Sequence, residues 1–176
     1  TGDGGYGVES PASFDTVVAV GGTSLKHSGS TWSESAWSGA GSGCSTLNPK
    51  PTWQTSATQC SGKANADVSA VADPNSGVNV YDSDCSGLNR LLGNCFSGWG
   101  VVGGTSASAP IIASVYALAG NGASVTYGSF PYSHATALND VTSGSNGSCS
   151  GSYLCTSVAG FDGPTGLGTP NGTGAF

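Results

Sequence analysis

Four short runs of apolar, mostly β-branched residues punctuate this chain, at positions 17–20, 68–72, 78–81 and 99–102, each bounded by Gly, Pro, Asp or Ser. Short apolar runs bounded in this way predict strands buried on both faces, as in a parallel sheet. One longer segment, residues 105–120, predicts a helix. Its early Pro110, apolar body and terminal Gly120 mark both ends. A parallel sheet needs a crossover of about a dozen residues between strands, usually a helix. Several strands with one strong helix therefore mean that loops cover the sheet or that part of the sheet comes from elsewhere. Between the first two runs lies a polar segment, residues 26–63, carrying Trp32, Trp37 and Trp53. It predicts a folded surface excursion or a cleft wall.

Composition narrows the class. The 176 residues suit one domain, with 30 glycines and only 8% charged residues. That excludes a coiled coil, a helical bundle and a charged disordered tail. No apolar run reaches the roughly 20 residues of a membrane span, and the N-terminal residues lack the marks of a signal peptide, so a soluble chain that has lost any targeting segment is expected. A net charge of -6 leaves no basic surface for phosphates, which argues against nucleic acid as a partner. Lys26, Lys50, Lys63 and Arg90 are the only Lys and Arg residues. When carboxylates protonate in acid, little positive charge remains to push the chain apart. The six cysteines show no metal-binding spacing and fit an oxidising, extracellular setting. Of their 15 possible pairings the nearest-neighbour set, Cys44–Cys60, Cys85–Cys95 and Cys149–Cys155, is the simplest.

The chemistry concentrates at residues 99–110, WGVVGGTSASAP. A strand enters two glycines and a Thr-Ser pair opens the helix. This places the Ser106 hydroxyl among free backbone N–H groups at the positive end of a helix dipole, a setting that suits a nucleophile and the oxyanion it creates. An ordinary helix cap by Thr or Ser would use the same residues.

Gly104-Thr105-Ser106-Ala107-Ser108-Ala109-Pro110 resembles the nucleophile motif of subtilisin-like peptidases in its sedolisin form, that of the serine-carboxyl peptidases. Residues 16–25, 66–77 and 159–172 are similar to sedolisin segments in the same order. The resemblance implies an α/β, subtilisin-like fold, a mainly parallel sheet with flanking helices. It implies a secreted, acid-acting endopeptidase on polypeptide substrates. In the family an aspartic acid in a Gly-Asp-x-Gly turn serves the oxyanion hole, and Gly2-Asp3-Gly4-Gly5 matches that turn. Asp3 is therefore expected to be protonated in acid and to donate a hydrogen bond to the oxyanion.

The family's base is a glutamate supported by an aspartate, in a Glu-x-x-x-Asp helix well before that turn. Neither Glu9 nor Glu34 has an aspartate four residues on, and His27 and His134 fall in no subtilisin-type motif. The sequence thus reads as the C-terminal portion, residues 1–176, of one catalytic domain. It would bear nucleophile and oxyanion donor, with the base on an N-terminal portion of the same precursor held as a separate chain; residues 1–176 would be inactive on their own. The alternatives are an inactive fragment or pseudoenzyme that binds polypeptide, and a subtilisin-type enzyme with a histidine base. The resemblance also implies one Ca²⁺, held by Asp140 and Asp162 with the carbonyls of Val141, Val158 and Gly160. Asn146 and Asn171 stand in glycosylation sequons.

Overall fold

The computed structural model describes residues 1–54, 56–87, 91 and 95–176, so Arg90 falls outside the described residues. Its centre is a three-stranded sheet whose middle strand is paired on both sides. Strand β1 (Val20–Ser28) pairs in parallel with β5 (Val68–Val71), from Val20 opposite Val68 to Thr23 opposite Val71. Its outer half forms an antiparallel hairpin with β2 (Thr31–Ala36). Helix α1 (Thr105–Ala119) lies on β1 and β5. Ile112 enters a core of Val20, Val68, Ala70, Leu138, Ala175 and Phe176. A buried apolar set of this kind supplies most of a small domain's stability.

Three further antiparallel pairs surround this centre: β3 (Gly43–Pro49) with β4 (Gly62–Asn65), β6 (Val78–Asp82) with β7 (Gly98–Val102), and β8 (Leu138–Asn139) with β9 (Thr169–Pro170). A short helix α2 (Ser129–Ser133) precedes β8. The disulfides are Cys44–Cys60, Cys85–Cys95 and Cys149–Cys155, the nearest-neighbour set. No helix among the described residues is long and apolar enough to cross a membrane.

The α1 bounds agree with the sequence reading: Gly120 ends the helix in the left-handed conformation at φ 71°. Two expectations need correction. The first strand begins only at Val20, and residues 17–19 lie outside it. There the backbone is tied to Asp67: the Ala19 N–H donates to its carboxylate at 2.7 Å, and the Ala19 carbonyl accepts from its N–H at 2.7 Å. The expected strands at 78–81 and 99–102 do form, but as an antiparallel hairpin whose Val80, Tyr81, Trp99 and Val101 are exposed. Among the described strands, parallel pairing is thus confined to β1 with β5. The other three strand pairs are antiparallel and need no crossover.

The polar excursion 26–63 is folded. Trp37 packs beneath the strand, 3.3 Å from where a β-carbon on Gly22 would stand, while Trp32 is exposed and stacks with His27 at 4.3 Å. Below the sheet sits a polar cluster that sequence reasoning did not single out. Lys63 and Asp67, both fully buried, form a salt bridge at 2.7 Å. Asp67 also accepts from Gln54 Nε2 at 2.9 Å and from the Tyr132 hydroxyl at 2.8 Å. Burial, with Asp67 beside it, pushes the Tyr132 hydroxyl well above its ordinary value.

Candidate active site

The site is assembled where β7 turns into α1. Gly104 occupies the helix N-cap with φ 89°, a conformation that glycine adopts without strain. Its N–H donates to the Ala72 carbonyl at 2.6 Å. Ser108 ties the next turn down, donating to the carbonyls of Ala70 at 3.1 Å and Val71 at 2.9 Å. The first turn of α1 is therefore fixed on the end of β5, and Ser106 stands exposed on its outer side.

No Thr or Ser caps the helix by itself. The cap comes from 102 residues away: the Thr105 N–H donates to Asp3 Oδ1 at 2.7 Å, and the Thr105 hydroxyl donates to the same oxygen at 2.9 Å. A carboxyl group placed there satisfies an unpaired N–H and meets the positive end of the dipole. Asp3 Oδ2 lies over Gly104, where a β-carbon would approach it to 2.4 Å. One oxygen of Asp3 is thus held as an acceptor, and the other faces the strand-to-helix turn beside Ser106. The Ser106 N–H belongs to the first turn, which has no internal acceptors. Asp3 and Ser106 line one cleft of about 470 Å³.

The residues that could supply a base are elsewhere or differently engaged. Glu34 accepts from the Thr23 hydroxyl at 2.8 Å and the Thr169 hydroxyl at 2.6 Å. His27 stacks on Trp32, and His134 stacks on Phe130 at 4.1 Å. Among the described residues none hydrogen-bonds the Ser106 hydroxyl. Glu9, set aside in sequence because no aspartate follows it at the right spacing, lines the Ser106 cleft. Only its place six residues after Asp3 in a turn-rich loop could have signalled this.

The calcium candidates fall on two adjoining loops. The Gly160 N–H donates to Asp140 Oδ2 at 2.8 Å, and the Val158 N–H to Asp162 Oδ2 at 3.2 Å. Asp162 is fully buried, its partners are neutral N–H and O–H groups, and burial pushes its carboxyl up to about 6. Among the described residues no carbonyl of Val141, Val158 or Gly160 accepts a hydrogen bond. No group of three or more His, Cys, Asp or Glu suited to a metal occurs among the described residues. Two carboxylates with unused carbonyls fit a hard, oxygen-seeking cation and would not fit zinc.

No protein-family model matches the chain. Individual proteins do. Xanthomonalisin of Xanthomonas sp. (strain T-22) is 31% identical over 93% of this chain and 21% of its own length. Kumamolisin of Bacillus sp. (strain MN-32) is 31% identical over 97% and 32%, and sedolisin of Pseudomonas sp. (strain 101) 30% over 93% and 29%. The solved structure of Pseudomonas sedolisin, a serine-carboxyl proteinase complexed with two molecules of pseudo-iodotyrostatin, superposes with a TM-score of 0.73 at 27% identity. It covers 92% of this chain and 45% of that one. The chain belongs to the sedolisin family. Its fold is the subtilisin-like α/β fold of that solved sedolisin, represented here by a mixed sheet and few helices. The chain spans between about a fifth and a third of the length of these curated sedolisin relatives.

Proposed function

We propose that this chain is the nucleophile-bearing C-terminal portion of a secreted serine-carboxyl endopeptidase that hydrolyses polypeptides in acid. The observation that carries the reading is the Asp3 carboxyl seated on the N-terminus of α1, one residue from the Ser106 hydroxyl. Ser106 Oγ attacks the scissile carbonyl carbon and gives its proton to a carboxylate base on the N-terminal portion of the same precursor, held as a separate chain. The carbonyl oxygen becomes an oxyanion. Protonated Asp3, anchored through Oδ1, donates from Oδ2, and the Ser106 N–H supplies a second hydrogen bond. Collapse of the tetrahedral intermediate expels the amine, which takes up the proton; water then hydrolyses the acyl-enzyme. An ionised Asp3 would repel the oxyanion, which ties the activity to acid.

One Ca²⁺ is assigned to Asp140, Asp162 and the carbonyls of Val141, Val158 and Gly160. It would neutralise the buried Asp162 and bind the two loops together. The three disulfides and the scarcity of basic groups suit secretion into an acid medium.

The full protein carrying this chain is expected to hydrolyse peptides in acid, and Ser106→Ala to lose that turnover; unchanged hydrolysis by Ser106→Ala would refute the nucleophile. The separate N-terminal portion is tested by intact-mass analysis of the native protein: a second polypeptide with a Glu-x-x-x-Asp helix supports it, and its absence refutes it.

A further inference from the structure

The fold treats the two glycosylation sequons of this chain in opposite ways. Asn146, in Asn146-Gly147-Ser148, is only 3% exposed. Its Nδ2 donates to the Ala40 carbonyl and, at 2.8 Å, to Ser42 Oγ, so both amide hydrogens are in use. The backbone beside it is packed as well: a β-carbon on Gly147 would stand 2.9 Å from Tyr6 Cβ. Asn171, in Asn171-Gly172-Thr173, follows β9 on a turn closed by the Phe176 N–H, which donates to the Thr173 carbonyl at 3.1 Å. All three residues of this second sequon are exposed. A β-carbon on Gly172 would meet nothing within 4 Å. Among the described residues no group hydrogen-bonds the Asn171 side chain.

An N-linked glycan is bulky and hydrophilic, so it needs a solvated anchor whose amide hydrogens hold nothing else. We propose that Asn171 is a site of N-linked glycosylation and that Asn146 stays unmodified in the folded protein. In the transfer, Asn171 Nδ2 bonds to the anomeric carbon of a glycosyl diphosphate donor. The bond from that carbon to the diphosphate oxygen breaks, the diphosphate leaves with the electron pair, and Nδ2 releases one proton. A sugar on Asn146 would instead remove a hydrogen that pairs Ala40 or Ser42 and leave a buried acceptor unsatisfied. The Asn171 turn is pinned at the C-terminal end of α1, where Asn121 Nδ2 donates to the Phe176 carbonyl at 2.8 Å and the Phe176 ring meets Tyr116. From Ser106 to Tyr116 the helix rises about 15 Å. The glycan is therefore anchored at the far end of the helix from the cleft. The inference rests on the secretion part of the proposed function, which brings the chain to the donor.

The test uses the full protein produced through the secretory route of a eukaryotic host. Peptide-N-glycosidase in heavy-oxygen water turns each glycosylated Asn into a labelled Asp, and peptide mapping reads the label. Asn171 is expected to carry it in most molecules recovered from the medium, and Asn146 in none. Asn171→Gln and Thr173→Ala are each expected to lose the mass of one N-linked glycan. Ser148→Ala removes the other sequon while leaving the Asn146 amide in place, and is expected to leave the glycan mass unchanged. Protein in the medium without label at Asn171 overturns the site and leaves secretion standing. Label at Asn146 in the secreted protein, or glycan mass lost in Ser148→Ala, overturns the distinction between the two sequons. Label at Asn171 in protein that stays inside the cells upholds the site and refutes secretion.

Discussion

Helix α1 has two faces that this chain treats differently. Toward the sheet, Ala107, Ser108 and Ile112 are buried, and the far end is closed by Phe176, whose ring meets Tyr116 edge-on at 5.1 Å. On the other side Ala109, Ala113 and Ala117 are exposed, and Leu118 is 79% exposed, on a helix without one charged residue. The β6–β7 hairpin shares the exposed side, with Trp99 at 73%. A helix that is apolar all round normally lies inside a protein. The contrast teaches where the chain is self-sufficient and where it offers surface. The covered side is held by its own core, the Lys63–Asp67 pair and the C-terminal loops. The uncovered side carries Ser106.

The contrast can be broken experimentally, most severely at its polar anchor. Lys63→Met leaves Asp67 buried without its countercharge and is expected to cost about 3–5 kcal/mol in chemical denaturation. A loss below about 1 kcal/mol would show that the anchor is not what holds the covered side. Ile112→Ala comes next, with an expected loss of about 2–5 kcal/mol. Leu118→Ala, on the same helix, should stay within about 0.5 kcal/mol in the isolated chain. Equal losses at the two positions would abolish the distinction between faces. Calcium removal is the third test: chelation should lower stability by about 2–3 kcal/mol if calcium is supplied at roughly 100 times its dissociation constant. Asp140→Ala should remove that sensitivity, and a chelator effect that persists in the variant would remove Asp140 from the site.

What sequence could deliver depended on whether the deciding contacts were local. Pro110 and Gly120 set the ends of α1, and the cysteine spacing suggested its own pairs, because both rest on neighbours in the chain. The start of β1 was misplaced because the apolar run 17–20 looks the same in a ladder as when tied to the Asp67 carboxylate. The hairpin strands read as buried because an apolar run does not say which polypeptide covers it. Lys63 ends a polar segment that pattern assigns to the surface, and Asp67 stands just before the apolar run 68–72; their further partners, Gln54 and Tyr132, come from separate elements. The pairing of Asp3 with the turn before Ser106 spans 102 residues, and only the resemblance to sedolisins suggested it.

The central claim is that Asp3 and the first turn of α1 form one oxyanion-binding unit. Its most direct test is the kinetics of Asp3→Ala in the full protein, measured in acid on a peptide that the wild type cleaves. The account predicts that kcat falls by about 10²- to 10³-fold while KM changes little, since the lost hydrogen bond is made to the transition state. A kcat close to that of the wild type, or a loss confined to KM, would contradict it.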